Sequence, residues 1–320
     1  MIGFCLAAGA GTRLLPLTRV TPKPLLAPAG RPLVDLAVQA LQAAGATRVV
    51  VNAHHGSGLL VAHLAGRPGV EVVVEPTLLG TGGGLVNAAH LGLLGGGDDP
   101  VLVTAADHVA TPGDLAALAG FLDRSGAPMA AGLVPAGAES FRLRLEAGRV
   151  ARDPEGLWDS AGAYAVRGGL LCELAPGPAS LVGRVLGPLL DQGQLAGLPF
   201  QGPAADAGTL DRLLAVSAGL LGGRWPYELP PGRLGRGAGN GPVFLAEGAG
   251  ADPAAVLAGP VVLDAGCRVG PGAVVTRSVV GPGVVVGAGA RVVGSFLGAG
   301  ARVDPGAAVA AALIPGREVR

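Results

Sequence analysis

Between residues 263 and 314, large aliphatic side chains recur at Leu263, Val269, Val275, Val280, Val286, Val292, Leu297, Val303, Val309 and Ile314, spaced six, six and five, three times over. Small residues stand two places before most of them: Cys267, Ala273, Ser278, Ala290, Ser295, Ala301, Ala307 and Ala312. Glycine often follows directly, as at Gly270, Gly281, Gly287 and Gly298. A three-step repeat with one inward aliphatic and a small neighbour at each corner describes a prism of short strands. Such a chain is a parallel β-helix of hexapeptide repeats, expected here to be short and left-handed. Each turn lies on the previous one at sheet spacing and buries a column of aliphatics. Cys267 is then an ordinary core residue. The stretch 243–262 is expected to form a looser first coil.

Residues 1 to about 215 follow a different rhythm. Aliphatic runs at 2–7, 48–52, 70–75 and 100–104 read as strands buried on both faces. Helical patterns at 33–44, 84–94 and 114–122 lie between or after them. Strand and helix in alternation predict an α/β, Rossmann-like mixed and mostly parallel sheet sandwiched by helices. Ligands on such sheets bind at the carboxyl ends of the strands. Residues 222–242 (GGRWPYELPPGRLGRGAGNGP) are dense in glycine and proline and read as a linker. The expected organisation is therefore a first domain at 1–221, a linker at 222–242 and a β-helix at 243–320.

Acidic and basic residues number 23 each, so the formal charge is zero. A broad nucleic-acid or anionic-membrane surface, which needs a basic excess, is not expected. Cys5, Cys172 and Cys267 form no CxxC pair and read as reduced residues of a cytoplasmic protein. The apolar start, MIGFCLAAGAG, lacks a basic n-region and reads as a buried strand and loop rather than a signal peptide.

Of the 23 basic residues one is a lysine, Lys23, within Pro22-Lys23-Pro24. Lysine is a compact point charge suited to a crowded phosphate, whereas arginine is a wide planar donor. Ten residues upstream runs Leu6-Ala7-Ala8-Gly9-Ala10-Gly11-Thr12-Arg13, whose glycines allow backbone amides to turn toward an anion. It is neither a Walker loop nor a complete dinucleotide fingerprint. A row of amides with Arg13 and Lys23 beside it suits a triphosphate.

The string LAAGAGTRLLPLTRVTPKPLLAPAGRPLVD resembles the signature of the sugar-nucleotide pyrophosphorylases, nucleotidyltransferases acting on sugar 1-phosphates. The resemblance continues through VVVEPTLLGTGGG (72–84), VLVTAAD (101–107) and ADAGTLDRL (205–213) in the expected order, and several branches of that family carry a β-helix tail. It implies Mg²⁺ held by Asp107 and Asp206, an ion that takes one or two carboxylates and completes its shell with phosphate oxygens and water. It further implies a triphosphate held by Leu6, Ala7, Ala8, Gly9, Gly11, Thr12, Arg13 and Lys23, the last two also acting in catalysis. Gly80, Thr81 and Gly82 would read base and ribose through backbone groups, and Arg152 and Gly162 would lie on the sugar phosphate. The implied reaction condenses a nucleoside triphosphate with a sugar 1-phosphate, whose oxygen is already anionic and needs no base.

The chain departs from the family pattern in places. Its single lysine leaves none for the family's Glu-Lys-Pro segment, and Arg152-Asp153-Pro154 stands near that slot. Arg152 either replaces the missing lysine or is a solvated hairpin arginine. None of the five histidines (His54, His55, His63, His90, His108) lies in the repeat, so an acyltransferase tail is not expected. The tail reads as structural or as the seat of homo-oligomer assembly. The tail and overall layout resemble mannose-1-phosphate guanylyltransferases, the preferred reading, to which the uridylyltransferase that follows is the alternative. Ala7-Ala8-Gly9 with GTGGG resembles uridylyltransferases of N-acetylated amino sugars. A non-catalytic nucleotide-sugar sensor is the remaining alternative.

Overall fold

The computed structural model describes residues 1–137 and 141–316; the last four residues of the expected repeat segment fall outside them. The chain forms two compact units that do not follow chain order: Met1–Gly9 with Val34–Ala205, and Ala10–Leu33 with the chain from Asp206 onward.

The first unit is built on a nine-stranded sheet. Its elements in chain order are β1 (Ile2–Leu6), α1 (Leu33–Ala43), β2 (Arg48–Ala53), α2 (Ser57–Leu64), β3 (Val70–Val74), α3 (Gly80–His90), β4 (Pro100–Ala105), β5 (His108–Val109) and α4 (Pro112–Ser125). There follow β6 (Met129–Pro135), β7 (Leu143–Glu146), β8 (Arg149–Arg152), β9 (Trp158–Arg167), α5 (Gly168–Glu173), α6 (Gly187–Asp191) and β10 (Leu195–Pro199). The strand order is β3-β2-β1-β4-β9-β6-β10-β8-β7, and its first four strands are parallel. Phe4, Val49–Val51 and Val101–Val103 are fully buried, as expected of parallel strands covered on both faces. Register fixes one edge: Leu6 lies opposite both Asn52 and Ala105, and Asn52 opposite Val73. The residues that leave these strands, Ala7, His54, Glu75 and Ala106-Asp107, therefore share the carboxyl edge of the sheet. α3 begins four residues earlier than its sequence pattern suggests, at Gly80.

The second unit contains the β-helix and one long helix, α7 (Leu210–Leu221). One face stacks Pro242–Ala246, Val261–Leu263, Val279–Val280, Phe296–Leu297 and Leu313–Ile314. The others stack Gly250–Ala251 through Arg302–Val303 and Val256–Ala258 through Ala308–Ala310. Neighbouring coils are parallel with a step of seventeen residues, Leu263 against Val280 and Val269 against Val286. The short corner is closed by serines: Ser278 Oγ donates to the Thr276 carbonyl and accepts the Ser295 amide, and Ser295 repeats the pattern with Val293 and Ala312. Both buried hydroxyls are thereby satisfied. The stretch 243–262 is a full coil, offset by eighteen residues from the next, Leu245 against Leu263.

The expected linker 222–242 contains a strand, Gly232–Arg236, paired antiparallel with Pro242–Ala246 at the edge of the first face. Residues 10–33 pack in this same unit. The Arg31 guanidinium donates to the Glu228 carbonyl at 3.0 Å. A Cβ at Gly30 would lie 2.8 Å from Pro230, and one at Gly298 would lie 3.0 Å from Leu17. Among the described residues, no helix is long and apolar enough to cross a membrane.

Candidate active site

In the first unit the loop after β1 is tied to its neighbours at its start and open at its tip. The Leu6 carbonyl accepts the Ala106 amide at 2.9 Å, and the Ala7 amide donates to Asn52 Oδ1 at 2.7 Å. Ala7 and Ala8 are buried, whereas Gly9 is exposed. A Cβ added at Gly9 would meet nothing within 4 Å, and its φ lies outside the left-handed region. Nothing in the protein therefore requires glycine there.

Asp107 leaves β4 at the same edge. His108 Nδ1 lies 3.0 Å from its Oδ1. Burial, with the Asp107 charge adding to it, pushes the Cys5 thiol far up, so that cysteine is an inert core residue. Gly162 has φ +70°, and a Cβ there would lie 2.2 Å from His108 Cδ2. Its amide donates to Ser160 Oγ at 3.1 Å. In this structure, then, Gly162 makes room for the His108 ring.

The segment 80–83 is packed against protein rather than open. Cβ atoms at Gly80, Gly82 and Gly83 would lie 2.7, 2.4 and 2.5 Å from the carbonyl oxygens of Ala179, Ser180 and Gly177. The Gly82 amide, expected to face base or ribose, donates to the Ala179 carbonyl at 3.0 Å. Thr81 Oγ1 accepts the Leu181 amide at 2.8 Å. Arg152 ends β8 with its guanidinium 5.6 Å from the Phe141 ring centre and 3.6 Å from Asp191.

In the second unit Gly11 has φ +63° and precedes a short 3₁₀ turn, Thr12–Leu14. A Cβ there would lie 2.9 Å from Thr18 and 3.1 Å from Lys23 Cβ. Thr18 Oγ1 donates to the Gly11 carbonyl at 3.0 Å. The glycine thus brings the stem of the chain's one lysine against the Gly11-Thr12-Arg13 turn, ten residues away in sequence. Thr12 and Arg13 are exposed, and Lys23 is half-buried. The Arg13 guanidinium lies beside Gly208, where a Cβ would be 2.6 Å from it and 2.7 Å from Asp206 Oδ1. Asp206 accepts the Gly208 amide at 2.9 Å and pairs with Arg212 at 2.7 Å.

Among the described residues, no group of three or more His, Cys, Asp or Glu side chains is placed to hold a metal. Magnesium does not need one, since it binds through one or two carboxylates with phosphate oxygens and water. Asp107 and Asp206 each have the oxygen chemistry for it.

Residues 2–140 match the family model described as nucleotidyl transferase. An N-acetylmuramate α-1-phosphate uridylyltransferase of Caulobacter vibrioides is 41% identical over 115 residues, 34% of this chain and 46% of the relative. A mannose-1-phosphate guanyltransferase of Aspergillus fumigatus is 36% identical over 114 residues, 34% of this chain and 31% of the relative. The chain spans less than half the length of the curated relatives it matches. A crystal structure of a Bacillus anthracis protein assigned as a glucose-1-phosphate thymidylyltransferase, in complex with sucrose, matches with a TM-score of 0.59. It covers 68% of this chain and 94% of its own at 20% identity, a likeness of fold alone.

The sequence reading did not single out Asn52, Glu75 or Arg212. A signal existed for the first: a lone amide ending the apolar run Val49-Val50-Val51 at a sheet edge where ligands bind.

Proposed function

We propose that the chain joins a nucleoside triphosphate to a sugar 1-phosphate, giving a nucleoside diphosphate sugar and pyrophosphate. The observation that carries the reading is the packing of Lys23 Cβ against Gly11 in a domain that matches the nucleotidyl transferases. In the reaction a sugar-phosphate oxygen attacks the α-phosphorus, the bond to the β-phosphate oxygen breaks, and pyrophosphate leaves with both electrons. No proton need be removed, so the protein's part is alignment and charge neutralisation. Gly9, Gly11, Thr12, Arg13 and Lys23 are proposed to hold the triphosphate. Asp107 and Asp206 are each proposed as carboxylates that turnover requires. Magnesium, when bound, would neutralise charge on the departing pyrophosphate.

Mannose 1-phosphate with GTP is one substrate pair. The 41% identity to a uridylyltransferase favours the second, an N-acetylated amino sugar 1-phosphate with UTP. The test is a matrix of the common nucleoside triphosphates against several sugar 1-phosphates, scored by pyrophosphate release. The expected result is release with one pair, abolished by EDTA, and lost by at least about 100-fold in Asp107→Asn and Lys23→Ala. No release with any pair would leave the chain a nucleotide-sugar sensor and end this reading.

A further inference from the structure

At the carboxyl edge of β1, β2 and β3 two polar side chains are sealed inside the first unit. Asn52 is 1% exposed and Glu75 is 2% exposed. Asn52 Oδ1 accepts the Ala7 amide at 2.7 Å, and Asn52 Nδ2 donates to Glu75 Oε1 at 2.7 Å. Glu75 Oε2 accepts the amide of Leu79, the residue preceding α3, at 3.1 Å. The Glu75 backbone is held as well, its amide by the Ala53 carbonyl at 2.7 Å and its carbonyl by His54 Nδ1 at 2.9 Å. The pair crosses Gly84, where a Cβ would lie 2.4 Å from Glu75 Oε1 and 2.5 Å from Asn52 Nδ2.

The chain of bonds has a direction. A carboxylate only accepts, so with Leu79 donating to one oxygen the other must face the Asn52 NH₂ group. That turns Asn52 Oδ1 to the Ala7 amide, the one donor it can satisfy there. The first amide of the loop after β1 is thus held by protein, and the open tip at Gly9 follows two residues later.

We propose that Asn52 and Glu75 are positioning residues for the nucleotide, locking the loop after β1 to the start of α3 through a bond chain of fixed polarity. The proposal rests on the reading of function given above, because it gives the locked loop a triphosphate to receive.

The polarity supplies the test. Asn52→Asp sets two acceptors against each other, and Glu75→Gln sets two donors against each other at Leu79. The double variant N52D/E75Q restores every bond with the roles exchanged: the aspartate accepts from Ala7 and from the new amide, whose oxygen accepts from Leu79. Full-length variants are assayed with GTP plus mannose 1-phosphate and with UTP plus N-acetylmuramate 1-phosphate. Hydrogen exchange is followed in the peptide that contains Ala7.

The expected KM for the triphosphate rises about tenfold in N52D and about threefold in E75Q, and returns to within about threefold of wild type in the double variant. KM for the sugar 1-phosphate stays within about twofold throughout, and protection at Ala7 follows the same order. A double variant no better than N52D, or single variants equal to wild type, overturns the proposal. Should N52D not fold, the double variant decides alone, since it folds and works only if the exchanged bonds form. A wild type inactive on every substrate pair of the wider matrix instead ends the reading of function, and exchange at Ala7 then judges the bond chain by itself.

Discussion

AAGAG after β1 and GTGGG at the start of α3 are two glycine-rich segments with similar composition, and the structure uses them differently. Carbonyl oxygens of residues 177–180 press on Gly80, Gly82 and Gly83 so closely that no side chain fits. These glycines let another stretch of backbone approach α3. Around Gly9 there is open space and ordinary backbone geometry, so no protein group explains the missing side chain. Gly80, Gly82 and Gly83 are thus explained by the fold, whereas the fold leaves Gly9 without a structural reason.

Three substitutions probe that contrast. Gly82→Ala, the largest, should destabilise the protein by about 1–3 kcal/mol through overpacking against Ser180, visible as a lower Tm. An unchanged Tm would show that 177–181 can retreat and that α3 needs no glycine. Gly9→Ala should leave Tm within about 2 °C while raising KM for the triphosphate about tenfold. A lower Tm with unaltered KM would return Gly9 to a structural role. Arg152→Ala extends the contrast to a charged side chain that already has protein partners in Phe141 and Asp191. KM for the sugar 1-phosphate should change less than about twofold, as is usual for a surface charge. A tenfold rise would restore Arg152 as the grip on the sugar phosphate.

The repeat was legible because each inward position demands the same kind of residue every seventeen places, and burial of Leu263 through Val303 enforces it. Its first coil was harder to read, since Ala251 stands where a larger aliphatic would mark the column and the step there is eighteen. The strand Gly232–Arg236 was invisible: all five residues are exposed, so no alternation marks it. α3 was read four residues too late at both ends because glycine opposes helix formation locally, while backbone contacts about a hundred residues away hold Gly82 and Gly83 at its start.

Of the site, the cationic loop and both aspartates could be proposed from motif order. The Asn52–Glu75 pair could not. Hydrogen-bond polarity between side chains 23 positions apart depends on strand register, which sequence does not print. The role of Gly162 was hidden for a similar reason, because the ring it accommodates belongs to His108.

The turn that carries Lys23 belongs to the unit completed by the last coils, with Arg31 fixed at Glu228 and Leu17 against Gly298. During synthesis this early segment leaves the ribosome nearly three hundred residues before Gly298. At the usual translation rate it waits on the order of tens of seconds without its final support. A chain cut after α7 would keep Arg13 beside Gly208 but lose the contacts of Arg31 with Glu228 and of Leu17 near Gly298. An interruption late in the message therefore removes contacts made by the first thirty-three residues.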